Sequence, residues 1–210
     1  MSKENKTELT IAIPKGFLHK GSYKYLASIG INFFSSDNNR ELVFYDKKNK
    51  IKGLLVRPSD VTVYVEHGSA DLGIVGLDVI KEQLPDVAML KDLKFGKCKL
   101  ILAVQKDSSY KSVKDLPANS KIATKFTKLA NDYIYKNGLT SEVIKLYGSV
   151  ELAPIVGLSD AIIDLVATGQ TLKANNLISI ATILESSAVL IANPVSLKIK
   201  KSIINKFFGL

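Results

Sequence analysis

Residues 164–171, Asp-Leu-Val-Ala-Thr-Gly-Gln-Thr, form the segment of this chain best suited to binding an anion. A predicted strand that contains an acid is followed by a loop of small residues and then by a helical stretch. Small side chains let the backbone approach a ligand closely, and free amides with nearby hydroxyls make an anion cradle. The ionised carboxylate of Asp164 only accepts hydrogen bonds, which suits sugar hydroxyls. The small or hydroxyl-bearing residues of this loop are Ala167, Thr168, Gly169 and Thr171.

A second interpretation of residues 164–171 is an ordinary strand-to-helix turn in which a threonine caps the helix. Local sequence alone is compatible with both interpretations, and only the surrounding motifs favour a ligand site.

Two arginines stand out because the chain otherwise uses lysine for positive charge. Of the 29 Lys and Arg residues, only Arg40 and Arg57 are arginine. A guanidinium binds carboxylate or phosphate through two parallel hydrogen bonds, whereas an ammonium does not. We therefore expect both arginines to bind an anionic ligand. The alternatives are a lysine-biased composition that retains two arginines, or a structural ion pair of Arg57 with Asp60 or Glu66.

Composition and charge limit the class of protein. The chain has 210 residues, of which 46% are hydrophobic and 23% charged, as in one or two soluble globular domains. The net charge of +9 suggests a polyanionic partner. However, no nucleic-acid recognition motif is present, and no apolar run approaches the roughly 20 residues of a membrane span. We expect a cytoplasmic protein without a nucleic-acid or membrane partner. One cysteine and two histidines are a poor basis for a disulfide or a zinc centre.

Short strand-like runs alternate with helical patterns, which favours an α/β fold with mostly parallel sheets flanked by helices. We predict two lobes, one of residues 1–103 plus 187–210 and one of residues 104–186, with the active cleft between them. The predicted strands are 9–13, 42–45, 53–56, 71–75, 98–104, 121–124, 143–147, 161–166, 177–184 and 188–192. The main predicted helices end near Ala27 or cover 77–83, 128–137 and 196–208.

Several longer motifs accompany the loop at 164–171. They lie at 57–61 (Arg-Pro-Ser-Asp-Val), 64–68 (Tyr-Val-Glu-His-Gly), 71–76, 96–100, 145–154, 158–161 and 164–172. The loop is similar to the phosphoribosyl-pyrophosphate loop of phosphoribosyltransferases. Together the motifs resemble the short form of the ATP phosphoribosyltransferase family, and the resemblance extends from about residue 9 to residue 193.

This resemblance implies a fold like that of type II periplasmic binding proteins and a defined reaction. N1 of ATP attacks C1 of phosphoribosyl pyrophosphate, which gives N1-(5-phosphoribosyl)-ATP and pyrophosphate, the first step of histidine biosynthesis. The implied cofactor is substrate-bound Mg²⁺. The implied partners are a regulatory subunit similar to histidyl-tRNA synthetase, in a hetero-oligomer, and further copies of this chain. The competing hypotheses are a non-catalytic two-lobed protein that binds a small molecule and, from net charge alone, a nucleic-acid binder.

The resemblance also implies roles for particular residues. Lys15, Arg40 and Arg57 are expected to act in catalysis by contacting phosphates, although the family lysine after Arg40 is Glu41 here. The expected substrate-binding residues are Gly16, Glu151, Asp164, Ala167, Thr168, Gly169 and Thr171. No metal ligand is assigned.

One position departs from the family pattern. The family usually has arginine after Pro14-Lys15-Gly16, where this chain has Phe17. The phosphate contact expected of that arginine is either absent or supplied by Lys15, His19 or Lys20, and a lysine would supply charge without the guanidinium fork.

Overall fold

The computed structural model describes residues 8–33 and 41–209. Over these residues the strands are β1 (Leu9–Pro14), β2 (Val43–Asp46), β3 (Ile51–Val56), β4 (Leu72–Gly76), β5 (Ala88–Asp92), β6 (Cys98–Gln105), β7 (Lys121–Thr124), β8 (Glu142–Lys145), β9 (Ala161–Val166), β10 (Leu177–Ser186) and β11 (Ala188–Ala192). The helices are α1 (His19–Ser28), α2 (Val61–Glu66), α3 (Leu77–Gln83), α4 (Thr127–Lys136), α5 (Gln170–Ala174), α6 (Pro194–Ile199) and α7 (Lys201–Phe208). None of these helices is long and apolar enough to span a bilayer.

The described chain divides into two compact units, each built on one sheet. The first unit takes the described residues up to Ile80, together with Leu84–Gly96 and those from Ser187 onwards, and its sheet has the order β2-β3-β1-β4-β11-β5. The second unit takes Lys81–Gln83 and Lys97–Ser186, and its sheet has the order β10-β6-β9-β7-β8. The α/β architecture with two sheets flanked by helices is confirmed.

The sheets are mixed, which corrects the prediction of mostly parallel sheets. In the first sheet, β1 pairs in parallel with β3 and β4, and the other described pairings are antiparallel. In the second sheet, β7 pairs in parallel with β8 and β9, whereas β6 is antiparallel to β9 and β10. The connection between β2 and β3 is a turn of residues 47–50, which is too short for the crossover that parallel neighbours require.

The division between the units also differs from the predicted boundary at residues 103 and 104. All of β6 lies in the second unit, because its two hydrogen-bonded neighbours, β9 and β10, belong to that sheet. The break therefore falls before β6, between Gly96 and Lys97.

Each sheet is apolar on both faces, as expected for sheets covered by helices on each side. In β1, Ile11 and Ile13 pack on one face with helices α1 and α7, and Ala12 packs on the other with helix α2. In β6, Leu100 and Leu102 face helix α4, and Ile101 faces the side covered by helix α5. These alternating residues fix which side of each sheet receives which helix.

The chain after β11 is held by the side chain of Asn193, which is 7% exposed. Its Oδ1 accepts hydrogen bonds from the backbone N–H groups of Val195 and Ser196 at 3.0 Å, which caps helix α6. Its Nδ2 donates to the carbonyls of Val65 at 2.9 Å and Glu66 at 3.1 Å, at the end of helix α2. One amide thus satisfies backbone groups of two helices in the first unit.

We predict that Asn193→Ala lowers the free energy of unfolding by about 2 kcal/mol, since it removes a helix cap and the hydrogen bonds donated to the carbonyls of Val65 and Glu66. The matched control is Asn131→Ala, because the exposed Asn131 side chain bonds only the Thr127 carbonyl of its own helix. Urea unfolding followed by circular dichroism measures both variants. Equal midpoints for the two variants would contradict the structural role of Asn193.

Candidate functional site

The first group of predicted site residues lies at the carboxyl ends of β1 and β3. These strands are parallel with Pro14 opposite Val56, and the Lys15 N–H donates to the Val56 carbonyl at 2.8 Å. The residues that directly follow β1 and β3 are therefore Lys15 and Arg57, and both are exposed. Carboxyl ends of parallel strands are where α/β sheets bind ligands. The structure brings Lys15 and Arg57 together as two exposed cations at one edge of the sheet.

Arg57 is not used in a structural ion pair with the described part of the chain. The carboxylate of Asp60 accepts a hydrogen bond from the Ser59 hydroxyl at 3.0 Å. The carboxylate of Glu66 accepts one from the Asp86 N–H at 2.8 Å. Asp60 bonds Arg57 only through the backbone, its N–H donating to the Arg57 carbonyl at 2.9 Å. Neither acid forms an ion pair with the Arg57 side chain, so the interpretation of Arg57 as part of a structural ion pair with Asp60 or Glu66 is wrong.

The loop after β1 presents Gly16 and Phe17 to solvent. Gly16 has φ +73°, a backbone conformation that favours glycine, and an added Cβ would meet no atom within 4 Å. Phe17 is 65% exposed, while His19 is half-buried against Tyr23, with ring centroids 4.7 Å apart. Lys15 is therefore better placed than His19 to supply a charge in place of the family arginine. Arg40 lies outside the described residues.

The second group of predicted site residues lies at the carboxyl ends of β7, β8 and β9. Thr124, the last residue of β7, stands opposite Lys145 of β8 and Ile163 of β9. The chain leaves all three strands at the same edge, which brings residues from three parts of the sequence together. From there β9 continues through Asp164 to Val166 and enters the loop of small residues.

The loop after β9 is open to solvent and is not capped by a threonine. Ala167, Thr168 and Thr171 are exposed, and the N-cap residue of α5 is Gly169, with φ +76°. No side chain of the described residues caps α5. The threonine cap of the second interpretation is therefore absent from the described structure. The threonine hydroxyls and the backbone N–H groups of the loop are available to an anion.

Asp164 lies within β9 in a partly buried position, with 25% of its side chain exposed. Its Oδ1 is buried and forms no hydrogen bond with the described residues, and the Lys125 ammonium lies 3.7 Å away. Burial raises the pKa of Asp164 above its ordinary value, and the negative charge of Glu151 adds to the rise. The positive charge of Lys125 and the N–H of Leu165 oppose that rise. A buried acceptor without a partner is a feature of sites that complete their hydrogen bonds with a ligand.

Glu151 is held near Asp164 by a short 3-10 turn, Val150–Leu152. Val150 is buried and packs on the sheet face beneath it, so the turn is anchored while Glu151 remains half-exposed. The preceding Ser149 has φ 47°, in the left-handed region. The structure thus places Glu151 close enough to Asp164 for its charge to act on that carboxyl group.

Lys125 is a residue of this group that the sequence interpretation missed. Lys125 directly follows a predicted strand, 121–124, which could have marked it as a residue at a sheet edge. The pairing of that strand with β9, which brings Lys125 to Asp164, was not predicted. The described residues contain no group of three or more His, Cys, Asp or Glu side chains arranged to hold a metal ion.

Comparison with known proteins identifies the family to which these motifs belong. Residues 57–209, which include Arg57 and the whole second group, match the family model described as ATP phosphoribosyltransferase. The chain belongs to the ATP phosphoribosyltransferase family. An ATP phosphoribosyltransferase of Synechococcus elongatus is 52% identical over 193 residues, covering 91% of this chain and 88% of the relative. One of Rippkaea orientalis is 52% identical over 199 residues, covering 94% of each chain.

Solved structures agree with this family and with its fold. The ATP phosphoribosyl transferase (HisG:HisZ) complex from Thermotoga maritima contains a chain that is 35% identical, with a TM-score of 0.81 and coverage of 96% of this chain and 95% of that one. The periplasmic aliphatic sulphonate binding protein SsuA from Escherichia coli is similar in fold alone, at 16% identity and a TM-score of 0.61, with coverage of 94% of this chain and 68% of that one. The predicted likeness to periplasmic binding proteins is confirmed, and the family supports an enzyme over a non-catalytic binding protein.

Proposed function

We propose that this chain transfers the phosphoribosyl group of phosphoribosyl pyrophosphate to N1 of ATP. The products are N1-(5-phosphoribosyl)-ATP and pyrophosphate, and the reaction is the first step of histidine biosynthesis. The observation that carries the proposal is the match of residues 57–209 to this family, together with the grouping of Asp164, Glu151 and the open loop at one sheet edge.

The reaction requires no nucleophilic side chain with an adjacent base. N1 of adenine already carries a lone pair, which forms the new bond to C1. The bond between C1 and the pyrophosphate oxygen breaks, and its electron pair leaves with pyrophosphate. Catalysis therefore depends on placing the two substrates and stabilising the charge of the leaving group.

The second group of residues is suited to the phosphoribosyl donor. Asp164 has an unpartnered buried oxygen that can accept hydrogen bonds from ribose hydroxyls. The hydroxyls of Thr168 and Thr171 and the N–H groups of the loop at Ala167 and Gly169 would bind phosphate oxygens. Glu151 lies beside Asp164 and adds a second acceptor for the sugar.

The first group is suited to the phosphates of ATP or of the leaving pyrophosphate. Arg57 provides a guanidinium that pairs with phosphate oxygens in a bidentate way, and Lys15 provides a flexible ammonium beside it. Gly16 lets the backbone approach the same anion. Arg40 is assigned to phosphate binding from the sequence motif alone.

Mg²⁺ enters this proposal as part of the substrate, bound to phosphoribosyl pyrophosphate. It would neutralise charge on the pyrophosphate as the bond to C1 breaks.

We further propose that the chain works in a hetero-oligomer with a regulatory subunit similar to histidyl-tRNA synthetase and that it associates with itself. Support comes from the Thermotoga maritima structure, whose printed description is of a complex of HisG with HisZ.

The direct test incubates the purified chain with ATP, phosphoribosyl pyrophosphate and Mg²⁺. We expect released pyrophosphate and a new ultraviolet-absorbing nucleotide, both of which increase when the regulatory subunit is added. No turnover in the presence of that subunit would overturn the proposal.

We predict that Arg57→Lys lowers kcat at least tenfold, because the charge remains while the bidentate pairing with phosphate is lost. The free energy of unfolding should stay within about 0.5 kcal/mol of wild type, since Arg57 is exposed and unpaired among the described residues. Steady-state kinetics and urea unfolding measure the two quantities. Unchanged kinetics would show that Arg57 does not contact the reacting phosphates.

We predict that Gly169→Ala raises the KM for phosphoribosyl pyrophosphate, because a Cβ at the loop obstructs the approach of phosphate to the backbone. The matched control is Gly138→Ala, since Gly138 also has positive φ, +64° against +76°, and an added Cβ at either residue meets nothing within 4 Å. Both variants should lose about 1 kcal/mol of stability from backbone strain. An equal KM in the two variants would argue against the loop as the phosphate site.

A further inference from the structure

Lys125 lies in the second group of site residues, and the proposed reaction assigns it no role. It follows β7 directly, and its ammonium lies 3.7 Å from Oδ1 of Asp164 on the neighbouring parallel strand. The separation exceeds hydrogen-bond distance, so the two groups interact through charge rather than by sharing a proton. The Lys125 side chain is 44% exposed, against 25% for that of Asp164.

The backbone on each side of Lys125 is fixed by buried groups. The Thr124 hydroxyl, which is fully buried, donates to the Ile163 carbonyl at 2.6 Å and accepts from the Phe126 N–H at 2.9 Å. Phe126 is 5% exposed, and the Lys125 ammonium lies 5.1 Å from the centre of its ring. The lysine is thus held between two anchored residues, and the Phe126 ring favours a cation at this position.

The groups that act on the Asp164 carboxylate come from three elements. Lys125 faces it from the end of β7, Glu151 faces it from the 3-10 turn, and the N–H of Leu165 lies on its own strand. Asp164 therefore faces one positive charge, from Lys125, and one negative charge, from Glu151. Without that lysine, a partly buried carboxylate beside a second negative charge would favour its protonated form.

We propose that Lys125 is a positioning residue that keeps Asp164 ionised and oriented, so that both Asp164 oxygens accept hydrogen bonds from the ribose hydroxyls of phosphoribosyl pyrophosphate. The inference rests on the proposed function for the identity of the ligand. A protonated Asp164 would carry a hydroxyl group and lose acceptor capacity, which weakens its bonds to sugar hydroxyls.

The pH dependence of substrate binding follows from the titration of Asp164. Burial already raises the pKa of Asp164, and loss of the Lys125 charge raises it further. Substrate binding that requires the ionised form is lost as pH falls through this pKa. The acid limb of binding must therefore move to higher pH when the lysine charge is removed.

The test is carbon-13 NMR titration of aspartate carboxyl groups in the full chain, with Asp164→Asn used to assign the signal. Lys125→Met removes the charge and keeps an apolar stem against Phe126, whereas Lys125→Arg keeps the charge. The control Lys121→Met removes an exposed lysine from the opposite end of the same strand. We expect the pKa of Asp164 to rise by about one pH unit in Lys125→Met and to stay near the wild-type value in the other two variants. An unshifted Asp164 in Lys125→Met would overturn the inference.

Equilibrium binding of phosphoribosyl pyrophosphate with Mg²⁺, measured by calorimetry across pH, provides the second measurement. In Lys125→Met the pH below which binding weakens should rise by the same amount as the pKa of Asp164. At pH values below both the wild-type and the variant pKa, a rise of one pH unit corresponds to about tenfold weaker binding. If Lys125 only stabilised the fold, the unfolding midpoint would fall while the acid limb stayed in place, and the inference would fail. If wild type bound none of this ligand at any pH, the proposed function would fail, whatever the NMR titration showed.

Discussion

The parallel pairing of β7 with β8 and β9 is the constraint on which the second site group depends. Parallel strands end at the same edge of a sheet, so the chain segments that follow them meet there. Lys125, Glu151 and Asp164 are up to 39 positions apart in sequence, since 164 minus 125 is 39. The same rule joins Lys15 to Arg57 through the pairing of β1 with β3. Antiparallel strands elsewhere in both sheets complete the cores but bring no site residues together.

Stability and binding make opposite demands at Asp164. A partly buried carboxylate with an unpartnered oxygen, beside the charge of Glu151, destabilises the free protein. Lys125 offsets part of that cost, and sugar hydroxyls would offset more when the ligand is bound. The surrounding framework tolerates this strain because β6 and β9 are paired along their length and packed on both faces.

Much of the fold was predictable because its buried strands are short apolar runs between turn residues. The predicted bounds of β7, β9 and α3 match the structure, and the single helix predicted for 196–208 was divided, since α6 ends at Ile199 and α7 begins at Lys201. The half-exposed β5, at one edge of its sheet, was missed because its apolar run is short and ends in the charged residues Lys91 and Asp92. Strand direction was wrong for the outer strands, because composition does not reveal whether a connection crosses the sheet.

The candidate site was predicted where residue chemistry or a family motif marked it, as at Asp164, Glu151 and the loop after β9. Lys125 was missed because only the pairing of β7 with β9 brings it to Asp164, and its residue type does not distinguish it. It is one of 27 lysines, since two of the 29 basic residues are arginine. The absence of an ion pair at Arg57 likewise required coordinates, since Asp60 and Glu66 stand close to it in sequence but bond elsewhere.

The central claim is that the carboxyl edge of the second sheet binds phosphoribosyl pyrophosphate, and amide NMR tests it most directly. On addition of this ligand with Mg²⁺, we predict shifts at Lys125 and at residues 164–171. Signals from the opposite edge should stay in place, where the Ser120 and Ser141 hydroxyls are 2.7 Å apart and the Lys121 N–H bonds Asp160. Shifts confined to that opposite edge, with residues 164–171 unchanged, would contradict the account.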